Sequence, residues 1–178
     1  RVIANNNCGS MGYDLPAAIG SAVASKKEVI CVTGDGSIMM NLQELQTIKH
    51  YNLPVKVVIF SNDGYNAFRQ TCKNFFNGFN VGCDAESGVS FPSFEKVADT
   101  FGYGYKCCHS NGELDECLDW LFSQEGQVIL EVEQRLDDPI TPKVMSRIND
   151  KGEFVTPSIE DMYPFIDEEE YKSLMIGK

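Results

Sequence analysis

Apolar residues in this chain collect into short, nearly continuous runs separated by stretches of helical periodicity. Residues 29–33 (Val-Ile-Cys-Val-Thr) and 55–60 (Val-Lys-Val-Val-Ile-Phe) are β-branched and apolar on both faces, the pattern of buried parallel strands. Between them, Leu42, Leu45 and Ile48, with Met39 just before, recur at helical spacing and predict a helix over 41–51, broken by Asn52-Leu53-Pro54. Strand, helix and strand within about 35 residues form a βαβ unit, whose crossover is expected to be right-handed. Upstream, 15–24 reads as a helix of small residues, with Asp14 as its cap and Pro16 in its first turn.

Downstream the alternation repeats. A helix over 94–101 buries Phe94, Val97, Ala98 and Phe101. A strand follows over 103–108, then a helix over 113–122 through Leu114, Cys117, Leu118 and Leu121, and a fourth strand over 127–132. Residues 66–91 scatter Phe68, Phe75, Phe76 and Phe79 among polar residues and glycines, which predicts an irregular, functional loop. From Arg135 the periodicity dissolves; four prolines and scattered charge predict an arm over 135–178, with one or two helical turns near 167–175. Strands alternating with helices specify an α/β fold, a doubly wound parallel sheet with helices on both faces, in a single domain over 1–178 followed at its end by the arm.

Composition narrows the function. At 178 residues and 43% hydrophobic, the chain can bury a proper core. Its opening at Arg1 reads like mid-protein sequence, which predicts a piece of a longer polypeptide. No apolar run reaches the roughly eighteen residues of a membrane span. A net charge of −11 argues against nucleic-acid binding, which needs a basic footprint. Residues 137–178 hold ten acidic and five basic side chains, so the tail reads as a solvated acidic surface. Seven cysteines with no CxxC pair predict small core residues in a reducing cytoplasm, not a disulfide frame or a zinc site. His50 and His109 are isolated and lie far in sequence from the chemistry described next.

That chemistry centres on Gly34-Asp35-Gly36-Ser37, where the first strand ends, and on Ser61-Asn62-Asp63-Gly64-Tyr65, where the second ends. If the strands are parallel neighbours, Asp35 and Asn62 emerge side by side at their carboxyl ends, where ligands sit in such sheets. One anionic oxygen, one amide oxygen and a turn carbonyl, that of Gly64, make an all-oxygen set that favours Mg²⁺ over Zn²⁺, with phosphate oxygens and water completing the octahedron. Gly36 allows close backbone approach and Ser37 can donate to a phosphate. The alternative is a tight turn whose aspartate merely caps a helix. No P-loop is present, and the Gly34 turn fails G-x-G-x-x-G because Met39 occupies the last glycine's place.

The Gly-Asp-Gly-Ser turn followed by Asn62 resembles the signature of thiamin-diphosphate-dependent enzymes. Gly9-Ser10-Met11-Gly12-Tyr13, then Leu15-Pro16-Ala17-Ala18-Ile19-Gly20, with Gln43-Glu44-Leu45-Gln46-Thr47 and Leu53-Pro54-Val55-Lys56, is similar to the acetolactate synthase and pyruvate decarboxylase group over roughly residues 1–135. The resemblance implies a C-terminal, diphosphate-binding domain of a carboligase, a transferase that joins a 2-keto acid such as pyruvate, after loss of CO₂, to an acceptor; simple decarboxylation and a non-catalytic module that kept the fold are the alternatives. It implies Asp35, Asn62 and the Gly64 carbonyl as Mg²⁺ ligands. Gly36 and Ser37 would meet the diphosphate of thiamin diphosphate, and the backbone of Gly9 and Met11 its aminopyrimidine, the Met11 side chain helping hold the cofactor bent. Ser10, Gly34 and Tyr65 complete the cofactor-binding set. The glutamate that activates the cofactor would come from a separate N-terminal domain, usually of a second subunit, in a homodimer or homotetramer. No catalytic residue is assignable here. Two departures stand out: the family's Asn-Asn pair is Ser61-Asn62, and its Gln-Trp-Gln stretch is replaced by Tyr65-Asn66-Ala67-Phe68-Arg69-Gln70-Thr71. With the tail over 158–164, these look more like acetolactate-synthase-like proteins associated with surface-sugar biosynthesis.

Overall fold

The computed structural model describes residues 1–6, 8–136, 141–149 and 151–175; the parts of the expected arm at 137–140, 150 and 176–178 lie outside the described residues. The chain divides into two compact units, 1–137 and 138–178.

The first unit is built on a four-stranded, wholly parallel sheet in the order β1-β2-β4-β3, from β1 (Val29–Gly34), β2 (Val55–Ser61), β3 (Gly104–Cys108) and β4 (Val128–Glu133). Each expected strand is present to within a residue or so. Because side chains alternate across a strand, Cys31, Val57, Ile59 and Ile129 face one side of the sheet, and Val58, Leu130 and Cys108 the other. On the first side they pack with Leu15, Ala18 and Ala22 of α1 (Asp14–Ser25), Leu45 and Ile48 of α3 (Glu44–His50), and Phe94, Val97 and Ala98 of α5 (Phe94–Phe101). On the second side, Cys117 and Leu121 of α6 (Leu114–Ser123) cover β3 and β4. Helices therefore lie on both faces, the doubly wound α/β arrangement.

Tyr103, at the entry to β3, is buried and its hydroxyl donates to the Leu45 carbonyl of α3 at 2.9 Å, joining helix to sheet. Tyr103→Phe removes this buried bond between helix and sheet. The expected loss is about 1–2 kcal/mol of unfolding free energy, read from the denaturant midpoint at unchanged slope.

The structure corrects three local expectations. First, the turn at the end of β1 is itself helical: α2 (Asp35–Ile38) begins at Asp35, and α3 begins only at Glu44, three residues after the expected start. Second, Asp14 is not a cap. The cap position falls on Tyr13; Asp14 Oδ1 accepts the Leu15 N–H of the first turn at 2.8 Å, while its Oδ2 reaches β1 and accepts from Thr33. Third, the segment expected to be irregular over 66–91 opens with a helix, α4 (Asn66–Phe75). Its inward row is Arg69, Cys72 and Phe75, and the charge in that row breaks the apolar stripe that would have announced it, while Phe68 points to solvent.

The second unit carries a two-residue antiparallel ladder, β5 (Arg147–Ile148) with β6 (Phe154–Val155), and α7 (Glu168–Leu174) where helical turns were expected. Asp167 caps α7 by accepting the Glu169 N–H at 2.8 Å. Arg147 pairs with Asp161 at 3.3 Å and lies over the Phe165 ring. No described helix is long and apolar enough to cross a membrane.

Candidate active site

The parallel register sets Thr33 beside Ile59 and Gly34 beside Phe60, so the chain leaves both strands at one level and Asp35 meets Asn62. Asp35 is only 2% exposed. Its Oδ1 accepts the Gly36 N–H at 2.7 Å; its Oδ2 accepts those of Asn62 at 2.8 Å and Gly64 at 3.4 Å. One carboxylate thus ties the two strand ends together. Burial raises its pKa, and the N–H groups of Asn62, Gly36, Gly64 and Asp63 pull against that shift. A buried anion held against its own desolvation is the setting in which a cation is gained at least cost.

Around it the backbone is packed to contact. A Cβ on Gly36 would lie 2.2 Å from the Tyr65 ring, and one on Gly64 only 2.1 Å from the Cys83 carbonyl oxygen. That carbonyl accepts the Tyr65 N–H at 2.8 Å, fastening the end of β2 to the loop through Cys83. The loop is pinned by Asp84, which accepts from Asn80 and from the Ser87 N–H. Ser87 above all, then Asn80 and the nearby Arg69, hold the Asp84 carboxyl below its ordinary range.

The glycine loop before α1 is sewn to the same turn. Gly12 N–H donates to Ser37 Oγ at 2.9 Å, and the Ser37 hydroxyl donates in turn to Asp14, which also accepts from Thr33 at 2.6 Å. The Asn41 side chain donates to the Gly12 carbonyl at 2.5 Å. Gly12 has φ +79°, and a Cβ there would lie 2.6 Å from Met40 Cβ, so only glycine fits. The Ser37 hydroxyl proton is therefore spent inside the protein. Gly9, Ser10 and Met11 stand exposed on the loop leading into Gly12, and Met11, 48% exposed, is no core methionine.

The structure thus gathers Gly34, Asp35, Gly36, Ser37, Asn62, Gly64 and Tyr65 at one end of the sheet, with the Gly9–Met11 loop entering through Gly12. It also supplies residues that the sequence did not single out. Asp14 carried a signal, an acid at a helix start, but a cap was the simpler reading. Arg69 donates to the Asn62 carbonyl at 2.9 Å and to Asn62 Oδ1 at 3.2 Å, while Gln134 accepts weakly from the Asn62 amide at 3.5 Å. Arg69 holds the Asn62 side chain through that Oδ1; its only sequence signal was its place in the stretch that departs from the resembled pattern.

The family model for the thiamine pyrophosphate enzyme C-terminal TPP binding domain matches residues 1–132. The acetolactate synthase large subunit of Porphyra purpurea is 36% identical over 143 residues, covering 80% of this chain and 24% of that protein. The acetolactate synthase isozyme 2 large subunit of Escherichia coli is 34% identical over 131 residues, covering 73% and 23%. Among solved structures, the Rhodococcus jostii RHA1 thiamine diphosphate-dependent 4-hydroxybenzoylformate decarboxylase superposes with a TM-score of 0.62 at 26% identity, over 71% of this chain and 24% of that one. The chain spans about a quarter of the length of the curated relatives it matches. It belongs to the thiamine pyrophosphate enzyme family, as a C-terminal TPP binding domain of the acetolactate synthase-like kind.

Proposed function

We propose that this domain holds the diphosphate of thiamin diphosphate through Mg²⁺ and forms half of the active site of a cytoplasmic acetolactate synthase-like carboligase acting on pyruvate or another 2-keto acid. The observation that carries the reading is the buried Asp35 carboxylate, bonded across two strand ends beside the Asn62 amide. Asp35, Asn62 Oδ1 and the Gly64 carbonyl are the cation ligands, a hard oxygen set suited to Mg²⁺. With the Ser37 hydroxyl committed to Asp14, its backbone N–H is the group left to meet a phosphate, and Gly34 and Gly36 keep side chains out of the way. Tyr65, packed on Gly36, walls the diphosphate side, and Gly9, Ser10 and Met11 face the aminopyrimidine. The cofactor supplies the nucleophilic carbon and the electron sink that decarboxylate the keto acid. This chain's residues bind and orient it and assign no proton to themselves.

The activating glutamate belongs, in this reading, to an N-terminal domain of a second subunit in a homodimer or homotetramer. The isolated 178-residue chain is accordingly expected to bind cofactor weakly and to show no carboligation. Measurable acetolactate from it would contradict the assignment. The decarboxylase neighbour supports a second outcome, release of free aldehyde; product analysis on the full polypeptide with pyruvate separates the two, and acetolactate is the expected product.

A pH dependence follows from Asp35. Its folded pKa is raised, so the unfolded chain binds fewer protons than the folded one between the two values, and stability falls as pH rises through that window. A cation relieves this penalty, and a proton competes with it. Mg²⁺ is expected to raise the melting temperature near neutral pH and to lose that effect as pH drops through the raised pKa. An Mg²⁺ stabilisation that stays constant into acid would count against Asp35 as a ligand.

A further inference from the structure

A second convergence of metal-binding side chains lies at the carboxyl ends of β3 and β4, outside the cofactor site. Cys107 and His109 are two residues apart, so they stand on one side of the strand, and the β3–β4 register continues to place Glu133 beside His109. His109 Nδ1 lies 2.9 Å from Glu133 Oε2 and 3.6 Å from Cys107 Sγ, and the three donor atoms all fall within 4.8 Å of one another. We propose that Cys107, His109 and Glu133 bind one divalent transition-metal ion of the Zn²⁺ type, with a fourth position open to water or an outside ligand.

The geometry separates this from two rivals. A cysteine–histidine–carboxylate relay uses both ring nitrogens, one toward the nucleophile and one toward the acid. Here both partners lie against the same Nδ1, so the three donor atoms gather on one side of the ring and no proton path runs through it. A bare surface ion pair accounts for Glu133 and His109 and leaves Cys107 to its hydrogen bond with Tyr105, but it gives no reason for the sulfur to lie 3.6 Å from the same ring nitrogen. Tetrahedral zinc with ordinary bond lengths sets sulfur and nitrogen about 3.6 Å apart, and nitrogen and oxygen about 3.4 Å apart. The first separation is already met, and the second needs the ion pair to open by about half an ångström.

Thiolate, imidazole and carboxylate together neutralise a doubly charged ion and suit a borderline-soft metal better than Mg²⁺. His109 and Glu133 are exposed, so an ion can reach them, and Glu113 accepts the His109 N–H at 3.0 Å and steadies the loop. Without metal, burial above all pushes the Cys107 thiol up to about 11; the Tyr105 hydroxyl pulls against that shift, and the nearby Glu131 and Glu133 add to it. Binding costs that proton. Sequence spacing hides the set because its members come from two strands and lack a CxxC. The neighbouring Cys108, Glu113 and Cys117 are a weaker candidate: both Glu113 oxygens already accept, from His109 and from Ser110.

The test is a Co²⁺ titration of the full polypeptide, freed of metal and held in excess Mg²⁺ so that oxygen sites stay silent. A thiolate-to-cobalt charge-transfer band saturating at one ion per chain and displaced by Zn²⁺ is expected. Cys107→Ser should abolish the band and Cys8→Ser should keep it. His109→Gln and Glu133→Gln, both exposed, should weaken Co²⁺ by about tenfold or more, the loss seen even for outer-shell partners. Absence of the band from the wild type, or its persistence at unchanged affinity in Cys107→Ser or His109→Gln, overturns the proposal. Neither outcome bears on the cofactor site.

Discussion

Asp35→Ala is expected to remove Mg²⁺-dependent binding of thiamin diphosphate, weakening it by about 100-fold or more, the upper range even for residues that only support a ligand. It is also expected to loosen the fold, because the same carboxylate accepts N–H groups from Gly36, Asn62 and Gly64 in a buried setting. Stranding such donors costs about 1–3 kcal/mol, and a total of about 2–4 kcal/mol is expected from the denaturant midpoint. The two losses have different sources. Saturating Mg²⁺ and cofactor should stabilise the wild type by mass action and leave the variant's midpoint where it was. A variant that binds as tightly as the wild type would remove Asp35 from the ligand set, whatever its stability.

Gly64→Ala is expected to cost about 3 kcal/mol or more, at the severe end of overpacking, for the addition of one methyl group. The new Cβ would fall 2.1 Å from the Cys83 carbonyl oxygen, a backbone atom already fixed by the Tyr65 N–H, so neither neighbour yields cheaply. The loop through Cys83 would separate from the end of β2, displacing the proposed Gly64 ligand with it. Gly20→Ala is the matched control. Gly20 lies within α1, and a Cβ there would meet nothing within 4 Å, so alanine should gain about 0.5–1 kcal/mol. Equal effects at the two positions, read by chemical denaturation, would show that the contact at Cys83 is not the cause.

The sheet and the centre of the site were legible because both depend on local pattern. Residues 29–33 and 55–60 announce buried parallel strands, and a polar turn directly after each one has to sit at the carboxyl end. The pairing of Asp35 with Asn62 then needed only the register that places Gly34 beside Phe60. What stayed hidden depends on contacts made across the fold. Asp14 reads as a cap in its own segment and becomes a link to Thr33 and Ser37 only once β1 lies beside α1. Arg69 interrupts the inward row of α4, so the charge that supports Asn62 is the same charge that masks the helix. The Cys83 carbonyl that fixes the glycine at position 64 belongs to a loop nineteen positions away with no periodicity of its own (64 to 83).

The central claim is that Asp35, Asn62 and Gly64 hold the cofactor's diphosphate through a divalent cation. Calorimetric titration of thiamin diphosphate into the full polypeptide, once with Mg²⁺ and once with a chelator, tests it most directly. Saturable binding with Mg²⁺ and none with the chelator is the predicted result. Binding of equal strength in both, or in neither, would contradict it.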